Sequence, residues 1–343
     1  MKRFFYGLSI ILTLSILIYP IVAHVPISAQ DGETLETAFF IEDPTKSWVV
    51  YSDLHGGAEP RYFGFEIDAG QRIRLLLSIP VTANPDEFQP SVALMGPGLT
   101  NSSSIPAYLE IPESAGVIIL DSEAAIPEYE GFTPTSFYAL IDFDMEVIVS
   151  GEYYLAIFEE DEGGDFSIAI GYVESFTFDE WLLVPFSVMT IHQWNGQNLI
   201  LILVPMILSV IIGLVYLLNK RNELLELGNL VSWLGALGAL LFFGSGITIF
   251  YQMTIASLTA INAQIIITAI FGIIPILLGF STMRIVLTSD WKKQRGKRLR
   301  LLLLGLIGPF LWAGLLIGPA LVILSAIAAS IGTSEMYASR YGS

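Results

Sequence analysis

The chain has 343 residues, of which 53% are hydrophobic, and a formal net charge of −17. Of its 33 acidic residues, 29 lie between positions 24 and 190, and a surface so acidic repels phosphates, which excludes nucleic-acid binding. The absence of cysteine excludes disulfides, iron–sulfur clusters and thiolate zinc sites.

The N-terminus has the pattern of an export signal. Lys2 and Arg3 precede an apolar run that extends to about residue 18, and Ala23 offers a cleavage site. We therefore predict a signal peptide over residues 1–23. Cleavage after Ala29 and retention of the segment as an uncleaved anchor stay open as alternatives, and each of the three exports the domain that follows.

Residues 24–175 predict an extracytoplasmic all-β domain. The runs 61–67, 71–79 and 166–172 alternate apolar and polar residues, as half-buried strands do. Turn-forming glycine and proline clusters separate these runs. Many short strands with turns between them are typical of a β-sandwich or jelly roll.

Two parts of this domain carry a family resemblance. Residues 62–71, YFGFEIDAGQ, and residues 150–156, SGEYYLA, followed by GGDFSI at 163–168, together resemble pre-peptidase C-terminal (PPC)-type β-sandwich domains. In that family the matching positions set the fold, and the second pair of segments forms the closing hairpin. The resemblance implies an accessory module of an exported protein, which binds or supports without performing chemistry.

The C-terminal half predicts a membrane region. An aromatic-rich linker at 176–197 is expected to form a collar at the level of the lipid headgroups. Residues 198–331 are almost entirely apolar, and they predict four transmembrane helices behind the β domain. These helices fall at about 198–218, 230–251, 261–287 and 301–330.

The distribution of basic residues predicts the topology. Lys220 and Arg221 lie between the first two helices, and six lysines and arginines lie between 292 and 300. Basic loops stay in the cytoplasm, so the β domain and the C-terminal tail, 332–343, are expected to face outward. The predicted location is the cell membrane, as a multi-pass protein.

Small residues within the predicted helices indicate close helix packing. Gly314 and Gly318 form a G-x-x-x-G pattern, and the second helix carries a row of four glycines, Gly235, Gly238, Gly244 and Gly246. The packing would lie within the chain or against a partner.

The three histidines are candidate copper ligands. Cleavage after Ala23 would make His24 the mature N-terminus, whose amine and imidazole can chelate one Cu(II), with His55 or His192 completing the site. The Ala-His junction resembles that of exported copper proteins of the CopC type and of the B subunit of copper membrane monooxygenases. The alternative is three unrelated histidines.

An acidic segment is a candidate calcium site. Glu159–Asp165 carries five carboxylates, which suit Ca²⁺, although it lacks the spacing of an EF-hand loop. The alternative is a hairpin tip with solvated carboxylates. Asp142 and Asp144, two residues apart on a strand, are expected to share an exposed face.

These features predict a non-enzymatic, membrane-tethered extracytoplasmic binding or accessory module, embedded in the lipid bilayer. Four helices exceed what an anchor needs, so a membrane-protein partner or a homo-oligomer is expected. The alternative is an extracytoplasmic copper-binding protein that uses the mature N-terminal His24. A third class, a passive channel or lipid-interacting protein, rests on the helix count.

Overall fold

The computed structural model describes residues 25–29, 32–123, 125–220 and 229–341, with the side chains of Ser28 and of 332–341 excepted. The predicted signal peptide and His24 lie outside the described residues. The chain divides into two units. The β-rich unit comprises Met1–Ile126 and Tyr138–Phe176, and the helical unit comprises Pro127–Phe137 and Thr177–Ser343.

The strands form two curled sheets. Over the described ranges they are β1 (Val25–Ser28), β2 (Phe39–Phe40), β3 (Trp48–Leu54), β4 (Arg61–Ile67), β5 (Arg72–Pro80), β6 (Ser91–Gly96), β7 (Gly116–Leu120), β8 (Ile126–Glu130), β9 (Thr135–Glu146), β10 (Gly151–Phe158) and β11 (Gly164–Ile170). One sheet has the order β1-β3-β11-β5-β9-β8, and the other has the order β2-β4-β10-β6-β7.

The alternation seen in the sequence sets which side chains form the core of the β-rich unit. Phe63, Ile73 and Phe166, from β4, β5 and β11, are at most 1% exposed. They belong to one buried cluster that draws residues from both sheets. The three predicted strands are therefore confirmed within a residue or two of their expected bounds.

The connection at 159–163 differs from the predicted hairpin. β10 pairs with β4 and β6, whereas β11 pairs with β3 and β5, so the two strands lie in different sheets. The acidic segment therefore connects the sheets. The sequence could not distinguish a hairpin within one sheet from a connection between two sheets. Both arrangements place alternate side chains of each strand in the core.

Among its described residues the helical unit has three helices that are long and apolar enough to cross a membrane: α2, α3 and α4. Its helices are α1 (Phe178–Trp194), α2 (Leu199–Lys220), α3 (Leu230–Ala256), α4 (Ile265–Val286), α5 (Arg295–Ile307) and α6 (Ile317–Tyr341). The segment predicted as a linker is thus mostly the helix α1. It begins with a capping box, in which the Thr177 hydroxyl accepts from Glu180 N and the Glu180 carboxylate accepts from Thr177 N.

The glycines of α3 are sites of close helix packing within the chain. A β-carbon at Gly238 would lie 2.8 Å from the Gly318 carbonyl oxygen, and one at Gly246 would lie 2.6 Å from the Gly272 carbonyl oxygen. These approaches bring α6 and α4 against α3. The predicted row of small residues is therefore used inside the helical unit.

The segment predicted as a fourth span, 301–330, is not one helix. It comprises most of α5 and the first half of α6, with a short 3-10 turn at Gly308–Leu311 between them. Gly305 packs against Pro319 and Ile323, and Arg295 borders the same surface hollow as Ile331. The two helices are therefore antiparallel.

This hairpin corrects two predictions. First, 301–330 is not a single span, because Pro309 supplies no backbone N–H to continue α5 and the chain reverses before α6. Second, Ile331 of α6 borders the same hollow as Arg295, the first residue of α5. The C-terminal helix therefore returns to the end of the helical unit that carries the basic segment 292–300. The basic segment and residue 331 thus lie at the same end of the helical unit, whereas the sequence predicts them on opposite sides of a membrane. Gly314 and Gly318 also do not share one helix.

Candidate functional site

The tip of the β8–β9 hairpin, Pro127–Phe137, belongs to the helical unit. It is hydrogen-bonded to the first turns of α4. The Tyr129 hydroxyl lies 2.7 Å from Thr268 Oγ1, and Gly131 N donates to Gln264 Oε1 over 2.9 Å. Thr268 Oγ1 also lies 2.5 Å from the Gly131 carbonyl oxygen. These bonds fix the tip against the start of α4.

The same tip is fixed at the ends of α1 and α3. Asn195, which caps α1, donates from Nδ2 to Thr135 Oγ1 over 2.7 Å and to Ser136 O over 2.9 Å. The Ser136 hydroxyl donates to the Ala256 carbonyl oxygen at the end of α3. All three polar side chains are buried, so these bonds satisfy groups that would otherwise be costly to remove from water.

A carboxylate orders the tip from within. Glu130 accepts from Phe132 N at 2.8 Å and from Thr133 N at 2.6 Å. Burial raises the pKa of Glu130, and these hydrogen bonds act in the opposite direction. The tip is therefore a shaped loop whose turn is held by its own side chain.

Four aromatic rings surround the point where the tip meets the helices. The Phe132 ring centroid lies 5.8 Å from that of Phe271 and 4.8 Å from that of Trp312, both edge-on. The Trp181 ring lies 4.4 Å from the Trp312 ring, and Trp312 Nε1 donates to the Trp181 carbonyl oxygen. Trp312 therefore connects the tip with α1 and α4.

Trp312 belongs to a segment with unusual backbone conformation. Trp312, Leu315 and Leu316 have φ values of 49°, 52° and 62°, and Gly314 has a φ of 71°. Left-handed conformation costs roughly 1–2 kcal/mol at each residue with a β-carbon. The Gly314 N–H donates to the Ser245 hydroxyl of α3, which anchors the segment. Backbone strain of this kind persists only where contacts with the surrounding structure hold the segment in place. Strained residues are concentrated at functional sites.

The tip, α1, α2, α3, α4 and the strained segment border one cavity of about 100 Å³, which we call the His192 pocket. Its lining is almost wholly apolar and includes Val184, Val188, Met189, Ile202, Leu203 and Met206. No charged side chain lines it among the residues that the structure describes. Apolar pockets with few polar groups are typical of ligand sites.

His192 supplies the one uncommitted polar group of this lining. Its residue is 2% exposed, and its Nδ1 has no hydrogen-bond partner within the described part of the chain. Burial lowers the pKa of His192 to about 4, so the imidazole is neutral at pH 7. Buried polar atoms usually have a hydrogen-bond partner, so an imidazole without one in the protein is a candidate for contact with a bound molecule.

The other polar side chains of the lining are paired. Gln252 and Gln197 exchange two amide hydrogen bonds of 2.8 and 2.9 Å. Thr248 donates to a carbonyl oxygen one turn earlier in α3, and Ser245 donates to one three residues earlier, while Thr268 is bonded to the hairpin tip. Among the described side chains of the lining, His192 alone is left to recognise a polar group of a ligand.

The other predicted metal ligands have different surroundings. The His55 side chain is 60% exposed in the β-rich unit, and its Nδ1 lies 3.0 Å from an Arg61 guanidinium nitrogen. That contact makes Nδ1 the acceptor. Within the described residues no three His, Cys, Asp or Glu side chains are placed to hold a metal ion. Copper at His24, His55 and His192, and calcium at Glu159–Asp165, stay predictions.

Asp142 and Asp144 have ordinary structural partners. Asp144 accepts from Arg72, which lowers the pKa of its carboxyl, and Asp142 accepts from Arg74. The two aspartates lie on β9 and the two arginines on β5, so these are cross-strand ion pairs. The predicted exposed acidic face is present, and its charges are partly neutralised.

No protein-family model and no curated protein matches the chain, so comparison with known proteins identifies no family. Function therefore has to be inferred from the pocket itself.

Sequence analysis missed the hairpin tip and the strained segment. The only local signals are the turn residues between Glu130 and Pro134 and the Gly308-Pro309 pair inside an apolar run. Both signals indicate a turn, but neither indicates that the turn borders a pocket. His192 was a candidate, although for copper and not for an apolar site.

Proposed function

We propose that this protein is a membrane-anchored, non-enzymatic binding protein that holds an apolar ligand in the His192 pocket. The observation that carries the proposal is an apolar cavity lined by His192, a buried side chain whose Nδ1 has no hydrogen-bond partner among the described residues. A pocket with no charged lining residue in the described chain offers no acid–base pair, which favours binding over catalysis.

A bilayer is the environment that suits the helical unit. Besides the three long apolar helices, α2 exposes a continuous set of large apolar side chains, among them Ile200, Ile207 and Ile212. Exposed apolar surface of this extent is costly in water and favourable against lipid tails. It also offers a surface for the membrane-protein partner or second copy that the sequence predicts.

We propose a topology of three spans followed by a re-entrant hairpin. The basic segment 292–300 assigns its end of the helical unit to the cytoplasm. Because α6 returns to that end, the C-terminal helix is assigned to the cytoplasm as well. Three spans then place the N-terminal unit outside, in agreement with the predicted export signal. The irregular backbone between α5 and α6 suits a membrane because its residues Gly308, Leu311, Ala313 and Gly314 are buried in protein.

The β-rich unit is proposed to be an extracytoplasmic β-sandwich of the PPC type, acting as an accessory domain. Two sheets with a shared core support this fold. The acidic surface of this unit suits an outward-facing position away from anionic headgroups.

The pocket can be tested by filling it. Val188→Trp places a large ring in the pocket, whereas Leu183→Trp adds the same ring to a residue of α1 that is 53% exposed. In phosphatidylcholine vesicles, a diazirine-bearing long-chain alkyl photoprobe is expected to label pocket peptides of the wild type and of Leu183→Trp. Val188→Trp should lose most of that labelling.

Labelling would be mapped by mass spectrometry, with thermal unfolding used to verify that each variant is folded. Equal labelling of the pocket peptides in folded Val188→Trp and in the wild type would contradict the proposed site. So would wild-type labelling that is confined to the lipid-facing residues of α2.

A further inference from the structure

We infer that the ligand of the His192 pocket is a single hydrocarbon chain bearing a neutral hydroxyl group, with the hydroxyl hydrogen-bonded to His192. This inference rests on the proposed binding function and specifies the chemistry of the ligand. Four observations carry it: the pairing of the other polar groups, the absence of lining charge, the position of His192, and the dimensions of the cavity.

The polar lining determines how many hydrogen-bonding groups the ligand presents at this site. Gln252, Thr248, Ser245 and Thr268 use their side chains within the protein. A ligand with several polar groups in the pocket would leave most of them unpaired, and each unpaired group costs about 1–3 kcal/mol. A ligand with a single polar group, placed to form a hydrogen bond with His192, therefore matches this lining.

The charge of that group follows from its surroundings. His192 is buried, and no described lining residue carries a charge that could pair with a carboxylate, phosphate or ammonium. An unpaired buried charge is far more costly than a buried hydroxyl. Neutral imidazole has one donor and one acceptor nitrogen, and a hydroxyl both donates and accepts, so it pairs with either tautomer.

The position of His192 indicates the direction in which the chain runs. Gln197 N donates to the His192 carbonyl oxygen, and the Gln197 side chain pairs with Gln252, one turn before α3 ends at Ala256. The hydroxyl therefore lies near this end of α3. From Gln252 the lining continues along α3 to Ser245, a distance of about 10 Å, toward the strained segment.

The shape of the cavity selects a chain over a ring system. Its volume is about 100 Å³, and its lining extends about 10 Å along α3, so the space is long and narrow. A hydrocarbon chain matches that shape better than a fused-ring system does. Because the volume is below the roughly 150 Å³ of a cavity that holds benzene, only part of a ten-carbon chain lies inside the pocket and the rest extends through its open side.

The test compares three photoprobes in phosphatidylcholine vesicles with the full-length protein. The probes are a diazirine-bearing ten-carbon alcohol, the same chain with the hydroxyl replaced by hydrogen, and the same chain ending in a carboxylate. After correction for partitioning into lipid, the alcohol is expected to reach half-maximal labelling of pocket peptides at a three- to tenfold lower concentration than the alkane. The carboxylate is expected to label no better than the alkane.

The variant His192→Phe is expected to remove the preference for the alcohol over the alkane, measured as the ratio of the two half-maximal concentrations within that variant, while His192→Asn should retain part of the preference. Equal labelling of the wild type by alcohol and alkane, or a preference for the carboxylate, would overturn the inference and leave the proposed function standing. Absence of pocket labelling by all three probes would contradict the proposed function itself. The comparison of probes on the wild type requires no variant, so it stands even if a variant fails to fold.

Discussion

Gly131→Ala is expected to lower the free energy of unfolding of the helical unit by about 3 kcal/mol, the upper part of the usual range for overpacking a close contact. A β-carbon at Gly131 would lie 2.4 Å from the Gln264 carbonyl oxygen and 2.7 Å from its β-carbon. Because the first of these is a backbone atom, the tip must withdraw from α4. Withdrawal would also weaken the bonds of Tyr129 and Gly131 to Thr268.

The measurement is thermal or denaturant unfolding of the detergent-solubilised protein, with Gly296→Ala as the matched control. Gly296 lies in α5, and a β-carbon there meets no atom within 4 Å. The control is therefore expected to be neutral or slightly stabilising, because alanine is a better helix former than glycine. Unchanged stability of Gly131→Ala would show that the hairpin tip is not held against α4.

Acidification from pH 6.5 to pH 4 is expected to destabilise the wild type by about 3 kcal/mol more than His192→Gln, at 1.36 kcal/mol for each pH unit. Burial lowers the pKa of His192 from 6.5 to about 4. Between these values the unfolded chain binds a proton that the folded protein does not, so stability falls as the pH falls. Below pH 4 both states are protonated, and the difference no longer grows.

The check is the unfolding free energy of the two proteins measured across this pH range. The difference between them isolates His192 from the carboxylates, which titrate in both proteins. Parallel pH dependence would show that the imidazole is reached by water and protons in the folded state. That result would contradict the burial of the His192 imidazole, while the lack of charged side chains in the described lining would still favour a neutral ligand group.

The strands of the β-rich unit could be predicted because a half-buried strand alternates apolar and polar residues in the sequence. Ile73, Leu75, Leu77 and Ile79 alternate with polar or less buried residues, and all four are at most 1% exposed. Which strands lie next to each other in a sheet is harder to predict from the sequence. β10 and β11 were expected to form a hairpin, yet they join different sheets, since alternation reports which face is buried and not which strand lies alongside.

Hydropathy predicted the three long apolar helices of the helical unit but not the hairpin of α5 and α6. α2, α3 and α4 were predicted because a long apolar run records how much apolar surface a helix presents. Hydropathy does not record direction, so the apolar run 301–330 gave no sign that the chain reverses. The reversal depends on Pro309, on left-handed residues such as Leu315 and Leu316, and on Gly305 fitting against α6.

The pocket could not be predicted because its parts are distant in sequence. Residues of the hairpin tip near position 131 meet α4 near position 268, more than a hundred residues later. From the sequence, His192 was a candidate copper ligand together with His24 and His55. Its role depends on the neighbours that the fold brings to it, and the copper hypothesis considered only the other two histidines.

The central claim is that the His192 pocket holds an apolar ligand that bears a hydroxyl group. An experimental structure in lipid with a ten-carbon alcohol added would test this claim directly. We expect chain-shaped density along α3 from Gln252 toward Ser245, with the hydroxyl oxygen about 3 Å from a nitrogen of the His192 imidazole. Density for the alcohol only on the outer surface of α2, with the pocket filled by the protein's own side chains, would contradict it.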